Sequence, residues 1–426
     1  MPKYVMITLV SGERIPNLTP IFQEGAPEYQ KIYFLHTNKF GESFAPTEKV
    51  LKSRKPNLIT EYYAEPVDNA DWEKTREVAS KLIRKIRQEY APDKPVIVCN
   101  WTPGTKPMAL GLVEAAREHG CPTVYVDTER NRLIDPHDIY SGSTLEKVLQ
   151  VQLSVREYLE VQGLKIRESE YKEPNPRWVQ AAAKIFETIA TPSATEPDSR
   201  NIYYGKAGSF FNVVNVNKAR HEKHKKDDKK SKCIDCNVLS VSYEAIRAAT
   251  LADELMSFGI VEQVIPNKVT GQVKIVLPST KELHYLQGPW LEYYVYGKLK
   301  ERFAPGNLPG IDSRVAHSVP FDWPPQRAGQ TDVKNELDVV FTSGTQLLLM
   351  SCKIGGAYLQ GVEESSNLDP LYELQAISQK TGLFNKKALV ICQPLDKLKP
   401  NFKDRANVLG IKLLGLQELA DIANAV

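Results

Sequence analysis

The sequence predicts a two-domain α/β protein, with a doubly wound, mostly parallel sheet in the N-terminal half and a second α/β unit built on an antiparallel hairpin in the C-terminal half. Three observations carry this expectation. Apolar runs of strand length alternate with amphipathic helical stretches up to Val126. A chain of 426 residues is too long for one ordinary core. Beyond Asn335, two adjacent strand-like runs follow each other across a short polar turn.

In the first half, Tyr4 to Val10, Ile32 to Leu35, Val96 to Asn100 and Thr123 to Val126 read as buried strands. Asp71 to Glu89 carries Trp72, Ala79, Leu82, Ile83 and Ile86 at helical spacing, and Met108 to Glu118 carries Met108, Leu112 and Ala116 before Gly120 ends it. Leu145 to Gly163 is expected to be a helix leading out of this domain and Arg177 to Ile189 another, with a loop over 191–197 after it. The expected organisation is a first domain over 1–150, linker helices over 151–200, a supporting layer over 201–287 and a catalytic core over 288–426. In the supporting layer, a helix from Ser242 to Phe258 precedes a hairpin of Val261–Val264 and Gln272–Leu277 turning at Asn267–Gly271.

Composition narrows the function classes. The chain is 25% charged and 42% hydrophobic, as soluble globular proteins are. No stretch approaches the ~18 consecutive apolar residues of a membrane span, and Met1 to Val10 lacks a signal peptide's layout, so a cytoplasmic protein without a membrane partner is expected. Cys99, Cys121, Cys233, Cys236, Cys352 and Cys392 are scattered as reduced thiols would be. A net charge of +3 permits nucleic-acid binding without arguing for it. Lys218 to Lys232, with seven lysines, one arginine, His221 and His224, is either a solvated loop or a guide for a phosphate backbone. The lone C-x-x-C at Cys233 and Cys236 is a weak zinc signal.

Two loops sit where a parallel sheet binds ligands, beyond the carboxyl ends of strands: Ser11 to Asn17 and Trp101 to Lys106. The second lies between a strand and a helix start, so backbone N–H groups and the helix dipole favour an anion there. Thr102 and Thr105 add hydroxyls, Gly104 permits close approach and Lys106 brings a positive charge. The same residues also suit simple helix capping. Neither a Walker A loop nor a G-x-G-x-x-G dinucleotide loop is present, which disfavours a metabolic nucleotide enzyme.

In the second half, Pro289 suits the start of a helix whose stripe is Leu291, Tyr294, Val295, Leu299 and Phe303, with Glu292 beside it. Asn335–Phe341 and Gln346–Lys353 form the hairpin. With Phe341 opposite Gln346 across a four-residue loop, Asp338 lies opposite Leu349 and Glu336 opposite Ser351, so Glu336, Asp338, Ser351 and Lys353 share one face if no bulge intervenes. Carboxylates and a lysine so placed suit metal-assisted phosphodiester hydrolysis with Mg²⁺ or Mn²⁺. A structural ion pair between Asp338 and Lys353, with Glu292 and Glu336 facing solvent, is the alternative. Tyr293, Tyr294 and Trp323 suit either a core or stacking on bases. Ala388–Cys392, Ile411–Leu414 and a closing helix over Leu416–Ala425 complete the domain.

Asn100-Trp101-Thr102-Pro103-Gly104-Thr105-Lys106-Pro107-Met108 resembles the N-x-T-G-G-T-K-x-M signature of CARF domains, sensors of cyclic oligoadenylates in type III CRISPR defence. Leu9-Val10-Ser11 with Pro16-Asn17 is similar to their first ligand-binding loop. Gly288–Glu292, Asn335–Val339, Ser351–Lys353 and Leu371–Gln375 resemble the PD-(D/E)XK nuclease fold joined to such sensors in CRISPR ancillary effectors. Pro103 replaces a family glycine and removes one N–H, and Ser351 stands where the motif has its acid. The resemblance implies an N-terminal Rossmann-like CARF domain and a C-terminal restriction-endonuclease-like α/β domain. It also implies a homodimer activated by cyclic tetra-adenylate at Ser11, Gly12, Asn17, Asn100, Thr102, Gly104, Thr105, Lys106 and Met108. Glu292, Asp338 and the backbone carbonyl of Cys352 are the expected metal ligands, with Lys353 catalytic, Glu336 assisting and Glu373 a further candidate. The expected substrates are single-stranded nucleic acid and supercoiled DNA. A sensor with a degenerate nuclease that binds a partner or DNA is the second expectation.

Overall fold

The computed structural model describes residues 3–38, 44–140, 145–190, 214, 238–242, 246–267, 269, 272–304, 310–323, 333–354, 369–382 and 385–425. The basic run over 218–232 and Cys233 and Cys236 lie outside them.

The N-terminal sheet contains β1 (Tyr4–Leu9), β2 (Tyr29–Leu35), β3 (Ile59–Tyr62), β4 (Val96–Asn100), β5 (Thr123–Asp127), β6 (Arg132–Ile134) and β7 (Glu146–Val148), in the order β3-β2-β1-β4-β5-β6-β7. The first five run parallel, β6 pairs antiparallel with β5, and β7 pairs antiparallel with β6. In β1, Val5, Ile7 and Leu9 enter a core on one face while Met6 enters a core on the other, which is why the strand is an unbroken apolar run. Around the sheet lie α1 (Ile15–Phe22), α2 (Ala45–Arg54), α3 (Trp72–Glu89) and α4 (Lys106–Glu118). The Asp71 carboxylate accepts from the Lys74 amide at 3.0 Å and starts α3. At Gly111 of α4 a Cβ would lie 2.4 Å from the Trp72 carbonyl oxygen, so only glycine lets α4 approach α3 this closely. The strand order reverses between β1 and β4, and the loops after these two strands open there together.

Residues 145–163 depart from the expected single helix. They form β7, an extended segment and α5 (Val155–Val161). The physical reason is a period of two: Leu149, Val151, Leu153 and Val155 are buried while Gln150 and Gln152 are exposed, a strand's alternation and not a helix's. The Ser154 and Glu157 capping box then starts α5. This stretch is no free linker, because Tyr158, Leu159 and Val161 are packed in a core that holds residues of both halves of the chain, from Met6 to Ile411.

β8 (Lys165–Ile166) adds to the second large sheet, and α6 (Pro176–Ala190) packs on the other side of it. A three-stranded antiparallel sheet follows, with β9 (Val238–Ser242), β10 (Gln263–Asn267) and β11 (Gln272–Val276) in the order β10-β11-β9 and α7 (Ile246–Ser257) after β9. Next come α8 (Thr280–Leu286), α9 (Trp290–Phe303), β12 (Val315–Trp323), β13 (Val333–Ser343), β14 (Gln346–Lys353), α10 (Pro370–Thr381), β15 (Lys386–Ile391), α11 (Pro400–Val408) and β16 (Ile411–Leu414). Two short helices, α12 (Leu416–Leu419) and α13 (Ile422–Ala425), stand where one closing helix was expected. The sheet order is β16-β15-β14-β13-β12-β8, antiparallel from β8 to β14 and parallel from β14 to β16. Helix α9 covers one face with Trp290, Leu291 and Val295, while Leu371, Leu374 and Ile377 of α10 cover the other.

The hairpin register is two residues tighter than expected. Ser343 pairs with Gln346 and Phe341 with Leu348, so the turn is Gly344-Thr345 alone. Thr342 looked like a turn residue but is buried in the strand, its hydroxyl donating to the Leu153 carbonyl at 2.5 Å. A slip of two leaves every side chain on its original face.

Candidate functional site

Two sites emerge, one in each half. The first is a cavity of about 640 Å³ at the reversal point of the N-terminal sheet. Of the residues expected there, Ser11, Gly12, Thr102, Gly104, Thr105 and Met108 line it. Gly104 has φ +96°, and a Cβ there would come within 3.0 Å of the Leu9 side chain, so the loop needs glycine twice over. Thr105 caps α4, accepting from the Met108 amide, and its hydroxyl donates to the Asn69 carbonyl at 2.6 Å. The Thr102 hydroxyl accepts from the Val126 amide at 2.6 Å, tying the loop to β5.

Three expected residues are placed elsewhere. Asn17 and Asn100 are fully buried beneath the cavity and off its wall. Thr8 donates to Asn17 at 2.7 Å, while the Asn100 amide donates to Thr8 and to the Pro16 carbonyl at 3.2 and 3.0 Å. They hold the two loops at one separation. Lys106, exposed in the first turn of α4, is outside the lining. The cations that do line the cavity are Arg14 and Lys380. Arg14 is half-buried, which lowers its pKa, and Nη1 donates to the Val161 carbonyl at 3.0 Å. Arg14 was within reach of sequence reasoning, since it lies in the first loop. Gln379, Lys380 and Gly382 were not, because they arrive from α10 through tertiary contact alone.

The second site is a small cleft lined by Glu336, Asp338, Ser351, Lys353 and Glu373. Asp338 Oδ2 accepts from the Ser351 hydroxyl at 3.1 Å and the Cys352 amide at 2.9 Å, and lies 3.8 Å from Lys353 Nζ. The Ser318 hydroxyl donates to Glu336. Ser318 has φ +52°, and the strands do kink here. Ala316 and Val319 enter the same core, as do Leu337 and Val340, whereas residues three apart on a regular strand face opposite ways.

Glu292 approaches from α9. Its side chain is partly buried, and desolvation together with the charges of Asp338 and Glu336 pushes its pKa well up, against the opposing pull of Lys353. Oε2 lies 3.6 Å from Nε2 of the buried His317, whose ring lies tilted against Tyr293 with centroids 4.3 Å apart and whose pKa burial brings down to about 4. His317 had no signal in the sequence. Tyr293 and Tyr294 are packed against this core, and Trp323 is partly buried.

Three carboxylates beside one lysine leave excess negative charge, a donor set that suits a hard divalent cation. Among the described residues no three His, Cys, Asp or Glu side chains are gathered closely enough to hold one. Glu292 Oε2 leans toward His317.

No helix among the described residues is long and apolar enough to cross a membrane. Residues 5–158 match the family model of the Card1 CARF domain, and residues 279–426 match that of the Card1-like endonuclease domain. No curated protein matches the chain. Among solved structures, protein VC1899 from Vibrio cholerae is similar over 99% of this chain and 96% of its own, at 17% identity and a TM-score of 0.72. Can2 from Sulfobacillus thermosulfidooxidans, solved in complex with cyclic tetra-adenylate, is similar over 97% of this chain and 94% of its own, at 18% identity and a TM-score of 0.59.

Proposed function

We propose that this chain, which joins a Card1 CARF domain to a Card1-like endonuclease domain, is a cytoplasmic, cyclic tetra-adenylate-activated, metal-dependent endonuclease of type III CRISPR antiviral defence, acting as a homodimer on single-stranded nucleic acid or supercoiled DNA. The observation that carries this reading is the convergence of Glu336, Asp338 and Lys353 on one cleft of the endonuclease domain, in a chain whose other domain opens an anion-suited cavity at its sheet reversal. The likeness to Can2, solved with cyclic tetra-adenylate, supports the choice of ring.

Asp338 and Glu292, with the Cys352 carbonyl, would hold Mg²⁺ or Mn²⁺, which when bound lowers the pKa of a water and polarises the phosphodiester. Ser351 and the Cys352 amide fix Asp338 through one oxygen and leave Oδ1 for that task. Lys353 stands beside it to balance charge developing on the phosphate. The ring, anionic and two-fold, would meet the same loops from each subunit of a dimer.

The test mixes purified protein with supercoiled plasmid or single-stranded RNA, with Mg²⁺ or Mn²⁺, with and without cyclic tetra-adenylate, beside Lys353→Ala. Ring-dependent cutting that vanishes in the variant is expected. Tight ring binding with nucleic acid left whole would favour a sensor whose nuclease is degenerate, the reading that Ser351 in place of an acid supports.

A further inference from the structure

The ligand cavity of the CARF domain is not built by that domain alone. Gln379, Lys380 and Gly382 of the endonuclease domain line it beside Gly12, Thr102 and Thr105. Lys380 is exposed and makes no ion pair with the described residues, whereas Arg14 is already engaged by the Val161 carbonyl. The cavity also holds a carboxylate, Glu13, which accepts from Gln162 Nε2 at 3.3 Å. Helix carbonyls at a C-terminus would repel phosphate. Here Asn385 Nδ2 donates to the Ser378 and Gly382 carbonyls at 3.1 and 3.2 Å, so part of that end is already satisfied.

The same helix reaches the other site. Glu373, in the first turn of α10, lines the catalytic cleft, and Lys380 follows it by seven residues, two turns on the same side and about 10 Å along the axis. Between them Leu374 and Ile377 are packed into the core against the sheet that carries Asp338 and Lys353. The helix is anchored at both ends, by Asp369 accepting from the Leu371 amide at 2.9 Å and by Asn385.

We infer that Lys380, with Gln379, is part of the activator site, contacting a phosphate of the bound ring, and that α10 carries this contact directly to Glu373 at the catalytic cleft. This rests on the ring-gated reading above. The endonuclease domain would then read the ligand itself, without a relay through the sensor sheet. A ligand that grips one end of a rigid helix more tightly in one helix position favours that position, and the coupling works in both directions.

The experiment titrates cyclic tetra-adenylate into the full-length protein and its Lys380→Ala and Lys380→Arg variants, with and without uncleaved nucleic acid, and measures cutting at saturating ring. Alanine is a good helix former at this exposed position, so the fold is retained. Lys380→Ala should bind the ring about tenfold more weakly, about 1.4 kcal/mol, with a shallower salt dependence and cutting below wild type even at saturation. Lys380→Arg should recover most of the affinity. Equal affinity of Lys380→Ala and wild type overturns the assignment. Weaker binding with full cutting at saturation overturns the transmission through α10. Wild type that binds no ring removes the function reading itself, a result separate from either.

Discussion

One carboxylate oxygen, Asp338 Oδ2, receives the Ser351 hydroxyl and the Cys352 amide and faces Lys353 at 3.8 Å. Asp338→Asn keeps the volume but loses the charge that these donors and a cation need. Cutting is expected to fall at least ~100-fold while the thermal midpoint moves little, and near-normal cutting would remove Asp338 from the reaction. At the other site, Gly104→Ala sets a Cβ against Leu9 at φ +96°. It should cost about 1–3 kcal/mol in a denaturant titration and weaken ring binding in the same protein. Thr102, Gly104 and Thr105 could be read from the sequence because loop-to-helix chemistry is local. His317 and Lys380 could not, since each becomes meaningful only through neighbours distant in the chain: Glu292 for one, the CARF loops for the other. Asn17 and Asn100 belong to both groups, placed in the right loops by their motifs yet turned inward by hydrogen bonds no motif specifies.

At the scale of elements, the contact of α3 with α4 depends on a missing side chain. Gly111→Ala must push the Trp72 carbonyl and the Arg76 amide aside, an overpacking expected to cost about 1–3 kcal/mol and to lower the thermal midpoint, whereas the same change at exposed Gly12, where a Cβ meets nothing within 4 Å, should leave stability near wild type. Calorimetry on the two variants separates the cases. Strands and long helices were legible where one period ran for several turns, as in α3. The stretch from Leu145 to Gly163 was misread because apolar residues at a spacing of two and of four overlap there, and burial on a second domain, invisible in a local pattern, selects the strand. The β13–β14 turn shows the limit of polarity as a guide, since Thr342 is polar and nonetheless buried against Leu153. The error of two residues preserves parity along β14, but the kink beside Ser318 breaks the alternation of β13 between Leu337 and Val340, so Glu336 and Asp338 share the cleft through a kink that no local pattern specifies.

For the whole molecule, α5 lies between the two large sheets, and Leu159 sits fully buried in the core common to both. Leu159→Ala should therefore cost about 2–5 kcal/mol and should destabilise both halves together. Fluorescence of Trp101, beside Tyr125 near the ligand loops, and of Trp290, in the endonuclease core, reports each half after single-tryptophan replacement. Coincident melting curves are expected, and two separated transitions would show that the halves fold independently. Across the same boundary the Thr345 hydroxyl donates to the Thr128 carbonyl at 3.2 Å and the Gln346 amide to the carbonyls of Thr128 and Glu129 at 3.1 and 3.0 Å. Such a seam has a practical meaning for anyone hoping to recombine these parts. A sensor cut out at residue 150 would lose α5 and bare its share of the common core, and a nuclease grafted onto a foreign sensor would bring Gln379, Lys380 and Gly382 to a pocket whose other wall is missing. Evolution can exchange domains of this kind only as a pair, or by rebuilding the wall between them.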